Sequence, residues 1–202
     1  MLHKIEVFNK MNRVEPIRDK RKIKAIKNLI KGSKNWRDYI LFVAGINLGL
    51  RIGDLLRLQV QDLYNKDETI KDRFEIVEQK TNKRNVVRVN SEVKKALKIL
   101  EENTSLLDDS DNYIIYNSKD KSQSISRTQA YRRIKKWCKD VGLTNKIGTH
   151  TLRKTWGYHA HQSGISIEVI QAKYMHSSTS TTRKYLGIEQ KDVGEAYEKV
   201  KL

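Results

Sequence analysis

One cysteine and one proline are all that this chain of 202 residues has of either kind. With Cys138 alone, no disulfide closes within the chain and no cysteine-built zinc site is available. Pro16 ends an opening stretch, residues 1–18, that shows no clear period and reads as an arm or linker. Long apolar runs are missing too. The longest, Tyr39 to Leu50, is broken by Gly45, Asn47 and Gly49, short of the roughly 18 apolar residues of a membrane span. The start, "MLHKIEVFNKMNR", is charged throughout and has no signal-peptide core, so a cytoplasmic protein without a membrane partner is expected. Acidic side chains are scarce: 24 Asp and Glu stand against 41 Lys and Arg, a net charge of +17. Such an excess favours polyanions through release of their counterions, and nucleic acid is the commonest of these.

What is present reads as a mostly helical α+β domain over residues 19–187, with one small antiparallel sheet and a last amphipathic helix over 188–202. Ile23, Ile26, Leu29 and Ile30 recur at helical spacing until Gly32 and Ser33 stop them. A strongly apolar helix is predicted from Asn35 to Leu48, and a third, short one in "RIGDLLRLQVQDL". "RFEIVEQ" and "NVVRVN" have strand composition and are joined by "KTNKR", a hairpin whose tip carries Lys80, Lys83 and Arg84. Ser91 is the predicted N-cap of the next helix, and Ser126 to Val141 is amphipathic, with Ala130, Ile134 and Trp137 facing inward. Further on, "THTLRKT" opens a helix that Gly164 stops, Ser166 caps another, and "HSSTSTTRKYLG" reads as a Ser/Thr-rich turn followed by Tyr185.

Several residues are out of place for a plain core. Arg51 lies between Leu50 and Ile52, where an unpaired guanidinium is costly. It is either paired with Asp54 three residues on or held ready for a phosphate, whose oxygens suit its planar fork. Lys80 is one of three basic residues at the hairpin tip, and position alone does not choose among them. His150 and Arg153 share one helical face, a spacing that suits an anion. His159 and His161 point to different faces, so no metal site is expected there. His176 and Tyr185 flank the Ser/Thr-rich segment, with Tyr174 as a rival tyrosine.

In order and type, "LGLRIGDLLRL", "EQKTNKRNVVRV", "HTLRKT" and "HSSTSTTRKYLGI" together resemble the catalytic domain of the tyrosine recombinases, the phage integrase family. The resemblance runs from about Glu15 to Ile188. It implies a site-specific recombinase that cleaves and rejoins DNA with no metal and no cofactor, through a 3′-phosphotyrosine. It also implies catalytic roles for Arg51, Lys80, His150, Arg153 and His176, with Tyr185 as nucleophile. Double-stranded DNA is the implied partner, bound by a tetramer that passes C-terminal helices between subunits. Lys83, Arg84, Arg127, Arg132 and Arg133 are the expected backbone contacts. Two features depart from the family. Met175 stands where a glycine usually precedes the second histidine, and only residues 1–18 precede the catalytic part, where family members have a DNA-clamping helical domain. A non-catalytic DNA-binding regulator and a type IB topoisomerase are the alternatives left open.

Overall fold

The structure, a computed structural model, describes residues 14–188. Its centre is a helix, α2 (Trp36–Leu48), in which Tyr39 to Gly45 are buried without a break. A helix apolar on every side must be covered on every side. That cover comes from α1 (Lys20–Gly32), α5 (Ser91–Glu102) and α7 (Thr151–Gln162). Gly45 lets α7 come close, because a Cβ there would sit 3.1 Å from the Cβ of Leu152. The arm expected at the N-terminus lies partly on this core. Ile17 is buried, and its N–H donates to Thr155 Oγ1 on α7 at 2.9 Å.

Local capping follows the sequence closely. Asp19 caps α1, accepting from the Arg21 N–H, and Asn35 caps α2, accepting from the Asp38 N–H. Helix α5 is capped by Asn90, one residue before the predicted Ser91, because the Asn90 side chain reaches the Val93 N–H at 3.1 Å. The short helix expected after Gly49 is two helices, α3 (Ile52–Leu55) and α4 (Val60–Leu63). They are parted because Leu58, Gln59 and Val60 bond to a distant segment: the Ile114 N–H donates to the Leu58 carbonyl at 2.8 Å, and the Val60 N–H to the Asn112 carbonyl at 2.9 Å.

The predicted hairpin is there. Strand β1 (Arg73–Val77) pairs antiparallel with β2 (Arg84–Arg88), with Phe74 opposite Val87 on the buried face. A second two-stranded sheet, β3 (Tyr116–Asn117) with β4 (Asp120–Ser124), was not expected. Its strand "DKSQS" has no apolar alternation to announce it. Side-chain bonds hold it, such as Ser124 Oγ donating to the Ile115 carbonyl at 3.0 Å. Helix α6 (Arg127–Asp140) begins with a capping box between Ser126 and Gln129, and its Trp137 packs edge-on against Phe42.

The C-terminal part folds around a smaller cluster. Helix α8 (Ile167–Tyr174), capped by Ser166, and α9 (Thr179–Leu186), capped by Ser178, bury Ile170, Tyr174 and Leu186 against α7. The segment read as a turn is therefore a helix: Ser178 supplies the cap, and Leu186 anchors its apolar side. The predicted helix over 188–202 lies outside the described residues, apart from Ile188.

Met175 ends α8 in the left-handed conformation, at φ +53°. An L side chain there costs about 1–2 kcal/mol, part of which glycine's freedom in the unfolded chain offsets. Met175→Gly is expected to raise stability by about 0.5–1 kcal/mol, a gain of about 2 °C in melting temperature. Thermal unfolding of the two proteins checks it, and an unchanged or lower midpoint would show that the thioether packs well enough to cancel the strain.

Candidate active site

Between the two apolar clusters, six segments of chain bring their polar groups together. Gly49 is the first. It ends α2 at φ +61°, a left-handed turn that aims its carbonyl back toward α7. Arg153, only 2% exposed, donates from Nη1 to that carbonyl at 2.7 Å and from Nη2 to the Tyr174 carbonyl at 3.0 Å. Its guanidinium lies 4.3 Å from the centre of the Tyr174 ring. Burial lowers the Arg153 pKa, and so does the charge of Arg51. A cation this far from water, facing a second one, is an arrangement that an anion completes.

Arg51 sits at the N-cap of α3. Its partner is not Asp54, as the spacing suggested, but Glu78 at the end of β1. Asp54 instead accepts from Arg57 Nη2 and from the Gln79 N–H, both at 3.0 Å. Arg51 makes no side-chain capping bond to α3 and reaches across to the hairpin instead. Glu78 has no exposed surface. Its carboxylate also accepts from Asn85 Nδ2 at 3.0 Å and from Thr81 Oγ1 at 3.2 Å. Burial alone would raise its pKa, but the bonds from Asn85 and Arg51 outweigh that and keep it low.

Lys80 lies two residues further, in the exposed turn of the hairpin. It lines an open cleft of about 370 Å³ together with Arg51, Gly53, Gln79, Arg127 and His150. Arg127 reaches that cleft from the first turn of α6, donating to Gln79 Oε1 at 2.7 Å. Lys83 and Arg84 are exposed, with Arg84 on β2 opposite Val77 rather than at the tip. Arg132 is exposed on α6. Arg133 is turned inward, bridging to the buried Asp38 at 2.6 Å.

His150 takes the N-cap position of α7, so it and Arg153 flank the first turn. Its Nδ1 lies 3.1 Å from the hydroxyl of Tyr185 on α9. Loss of hydration lowers its pKa, helped by the charges of Arg153 and Lys154. At neutral pH the ring is therefore uncharged and Nδ1 can accept. His176 follows Met175, its Nδ1 lies 3.1 Å from Thr182 Oγ1, and its ring centre is 5.2 Å from that of Tyr185. Burial and the charge of Arg153 push its pKa down to about 4. Burial raises the Tyr185 phenol to about 12, outweighing the arginines that pull it down. It stays protonated until something takes its proton.

Arg51, Lys80, His150, Arg153, His176 and Tyr185, all predicted from the sequence, thus lie in one neighbourhood. Sequence reasoning missed Glu78, although Phe74, Ile76 and Glu78 share one parity and a charge at an inward strand position is itself a signal. It also missed Lys173, on the last turn of α8, which carried no signal of its own. Burial and the charge of Arg153 lower the Lys173 pKa from 10.5 to about 8. The unfolded chain therefore binds more protons than the folded one between those two values, and stability rises with pH across that window. Lys173→Met is expected to stabilise by about 2 kcal/mol at pH 7, a figure reduced for the partly solvated ammonium. Denaturant unfolding at several pH values should show the gain shrinking above pH 8 and gone above 10.5. A gain independent of pH would mean that the charge is not what costs.

Among the described residues, no group of three or more His, Cys, Asp or Glu is placed to hold a metal ion, and no helix is long and apolar enough to cross a membrane.

Residues 18–191 match the phage integrase family. The chain is 40% identical over 187 residues to the probable integrase/recombinase YoeC of Bacillus subtilis (strain 168), covering 93% of this chain and 97% of that one. To the tyrosine recombinase XerC of Thermodesulfovibrio yellowstonii it is 34% identical over 170 residues, covering 81% of this chain and 54% of the relative. Its fold is similar to the crystal structure of the XerH site-specific recombinase bound to palindromic difH substrate in a post-cleavage complex. The TM-score is 0.71 at 18% identity, with 92% of this chain and 53% of that one covered. The chain thus spans nearly all of YoeC but about half the length of the XerC and XerH proteins.

Proposed function

The chain belongs to the phage integrase family, and on that premise we propose that it is a site-specific DNA recombinase working through a tyrosine-linked intermediate. One observation carries the reading. A phenol, two imidazoles and two guanidiniums from four segments of the chain converge, with the Tyr185 hydroxyl 3.1 Å from His150 Nδ1.

The chemistry follows from what each group can do. Arg51 and Arg153 hold the two non-bridging oxygens of one phosphodiester and stabilise the charge that grows there as the nucleophile enters in line. His150 takes the proton from Tyr185, whose high pKa makes such help necessary. Tyr185 Oη bonds to phosphorus as the bond to the 5′ oxygen breaks, leaving a 3′-phosphotyrosine. Lys80 gives the departing oxygen its proton, and His176 donates to the phosphate while Thr182 holds its other nitrogen. No water takes part, so the phosphotyrosine keeps the energy of the broken bond and a second 5′ hydroxyl rejoins the strand. Lys83, Arg84, Arg127 and Arg132 contact the DNA backbone and fix its register without reading sequence. A tetramer on two duplexes, with residues 188–202 passed to a neighbour, completes the proposal.

The test is a covalent trap. Duplexes of random sequence with 5′-bridging phosphorothiolates are incubated with the protein, and the digest is read by mass spectrometry. A nucleotide adduct on Tyr185, absent in Tyr185→Phe, is the expected result. Tight, salt-sensitive binding with no adduct would leave a DNA-binding protein that does not cut.

A further inference from the structure

Tyr174 has no part in that scheme, yet its ring reaches three of the side chains in it. The ring centre lies 4.3 Å from the Arg153 guanidinium, 5.4 Å from the Tyr185 ring and 5.2 Å from the His176 ring. A fourth contact, with Trp156 at 5.5 Å, closes it off from behind. Tyr174 has no exposed surface, and its hydroxyl donates to the Arg153 carbonyl at 2.5 Å. That bond ties its phenol down and removes it as a rival nucleophile. Its own carbonyl accepts from Arg153 Nη2. Tyr174 thus grips Arg153 at the main chain, at one edge of the guanidinium and across its face.

We propose that Tyr174 is a positioning residue: its electron-rich ring is the seat on which Arg153, His176 and Tyr185 are set in register before DNA arrives. This rests on the recombinase reading. A guanidinium has five N–H donors, and two of those on Arg153 go to the Gly49 and Tyr174 carbonyls, which leaves the others for a phosphate and for the Tyr185 hydroxyl beside it. Those carbonyls fix two corners of the plane, and the attraction of the cation to the ring face fixes its tilt. An aliphatic side chain of equal volume would fill the space but leave the tilt free. The T-shaped meeting with Tyr185, at an interplanar angle of 79°, sets the nucleophile's ring from the same surface.

The experiment compares rings that all lack the hydroxyl bond to the Arg153 carbonyl, so within the series the shape is kept and the charge of the ring face changes. Tyr174 is replaced in the full chain by phenylalanine and by its mono-, di- and trifluorinated analogues, which weaken the negative face step by step. Formation of the Tyr185 adduct is followed in a single turnover on the phosphorothiolate duplexes that the unsubstituted protein selects. A thiolate leaves without needing a proton, so the rate reports attack rather than Lys80. The expected result is a graded slowing, roughly tenfold from phenylalanine to the trifluoro ring, with unchanged duplex affinity. Equal rates across the series would overturn the proposal and leave Tyr174 as a space-filler. A second reading needs no DNA: nitrogen NMR of the Arg153 guanidinium should show faster rotation with each fluorine, and constant rotation would equally overturn it. If no variant, nor the unsubstituted protein, forms an adduct while the NMR series is graded, the recombinase reading falls and the seat stands.

Discussion

Arg153→Lys is expected to slow strand cleavage about 10³-fold while duplex affinity stays within about threefold. The guanidinium is planar and has donors to spare, so it can hold the Gly49 and Tyr174 carbonyls and still face a phosphate. A lysine has a single nitrogen on a flexible stem. Its three N–H bonds share that one atom and cannot span both carbonyls and the phosphate, and it has no flat face to lie on Tyr174. Binding is spared because most of the affinity comes from contacts along the backbone, away from the scissile bond. Single-turnover cleavage and equilibrium binding at fixed salt, measured on the same duplex, separate the two effects. Cleavage within about tenfold of the unsubstituted protein would mean that Arg153 is a structural cation and not a clamp.

Gly157→Ala is expected to destabilise the protein by about 3 kcal/mol, a fall of about 8 °C in melting temperature. Helix propensity alone says the opposite, since alanine is favoured over glycine inside a helix by about 1 kcal/mol. Space decides. A Cβ on Gly157 would lie 2.6 Å from Leu186 Cδ2 and 3.0 Å from Tyr174 Cζ, and closer still to the Tyr174 hydroxyl. Relieving that overlap pushes α8 and α9 off α7 and breaks the bond from Tyr174 to the Arg153 carbonyl. Circular dichroism on heating checks it, and a higher midpoint for the alanine protein would refute the close packing.

Much of the site was legible because its groups sit in short, local patterns. His150 and Arg153 are three residues apart, Lys80 follows a strand with clear alternation, and Ser126, Ser166 and Asn35 announce the helices they begin or flank. What stayed hidden is non-local. The spacing from Arg51 to Asp54 fits an ion pair, but the true partner, Glu78, comes from a hairpin 27 positions on. The strand "DKSQS" exists because Ile115 and Tyr113 offer it bonds, not because of its own residues. Arg133 reads as one more basic residue on a solvated helix, yet the buried Asp38, 95 positions earlier, holds it half-buried against the core. From the sequence, Tyr174 reads as a rival to Tyr185. Its value as a flat surface depends on Gly157, which makes room for it from another helix.

The pairing of Arg51 with Glu78 bears on how salt measurements on this protein should be understood. A phosphate that meets a surface lysine gives up the cation condensed on the DNA there, and the slope of affinity against salt counts such departures. Arg51 already faces a carboxylate fixed within the fold by Asn85 and Thr81. That carboxylate cancels part of its charge, so a phosphate settling on Arg51 displaces less than a whole cation. The slope therefore counts that contact only in part, and affinity at that phosphate falls less steeply as ionic strength rises.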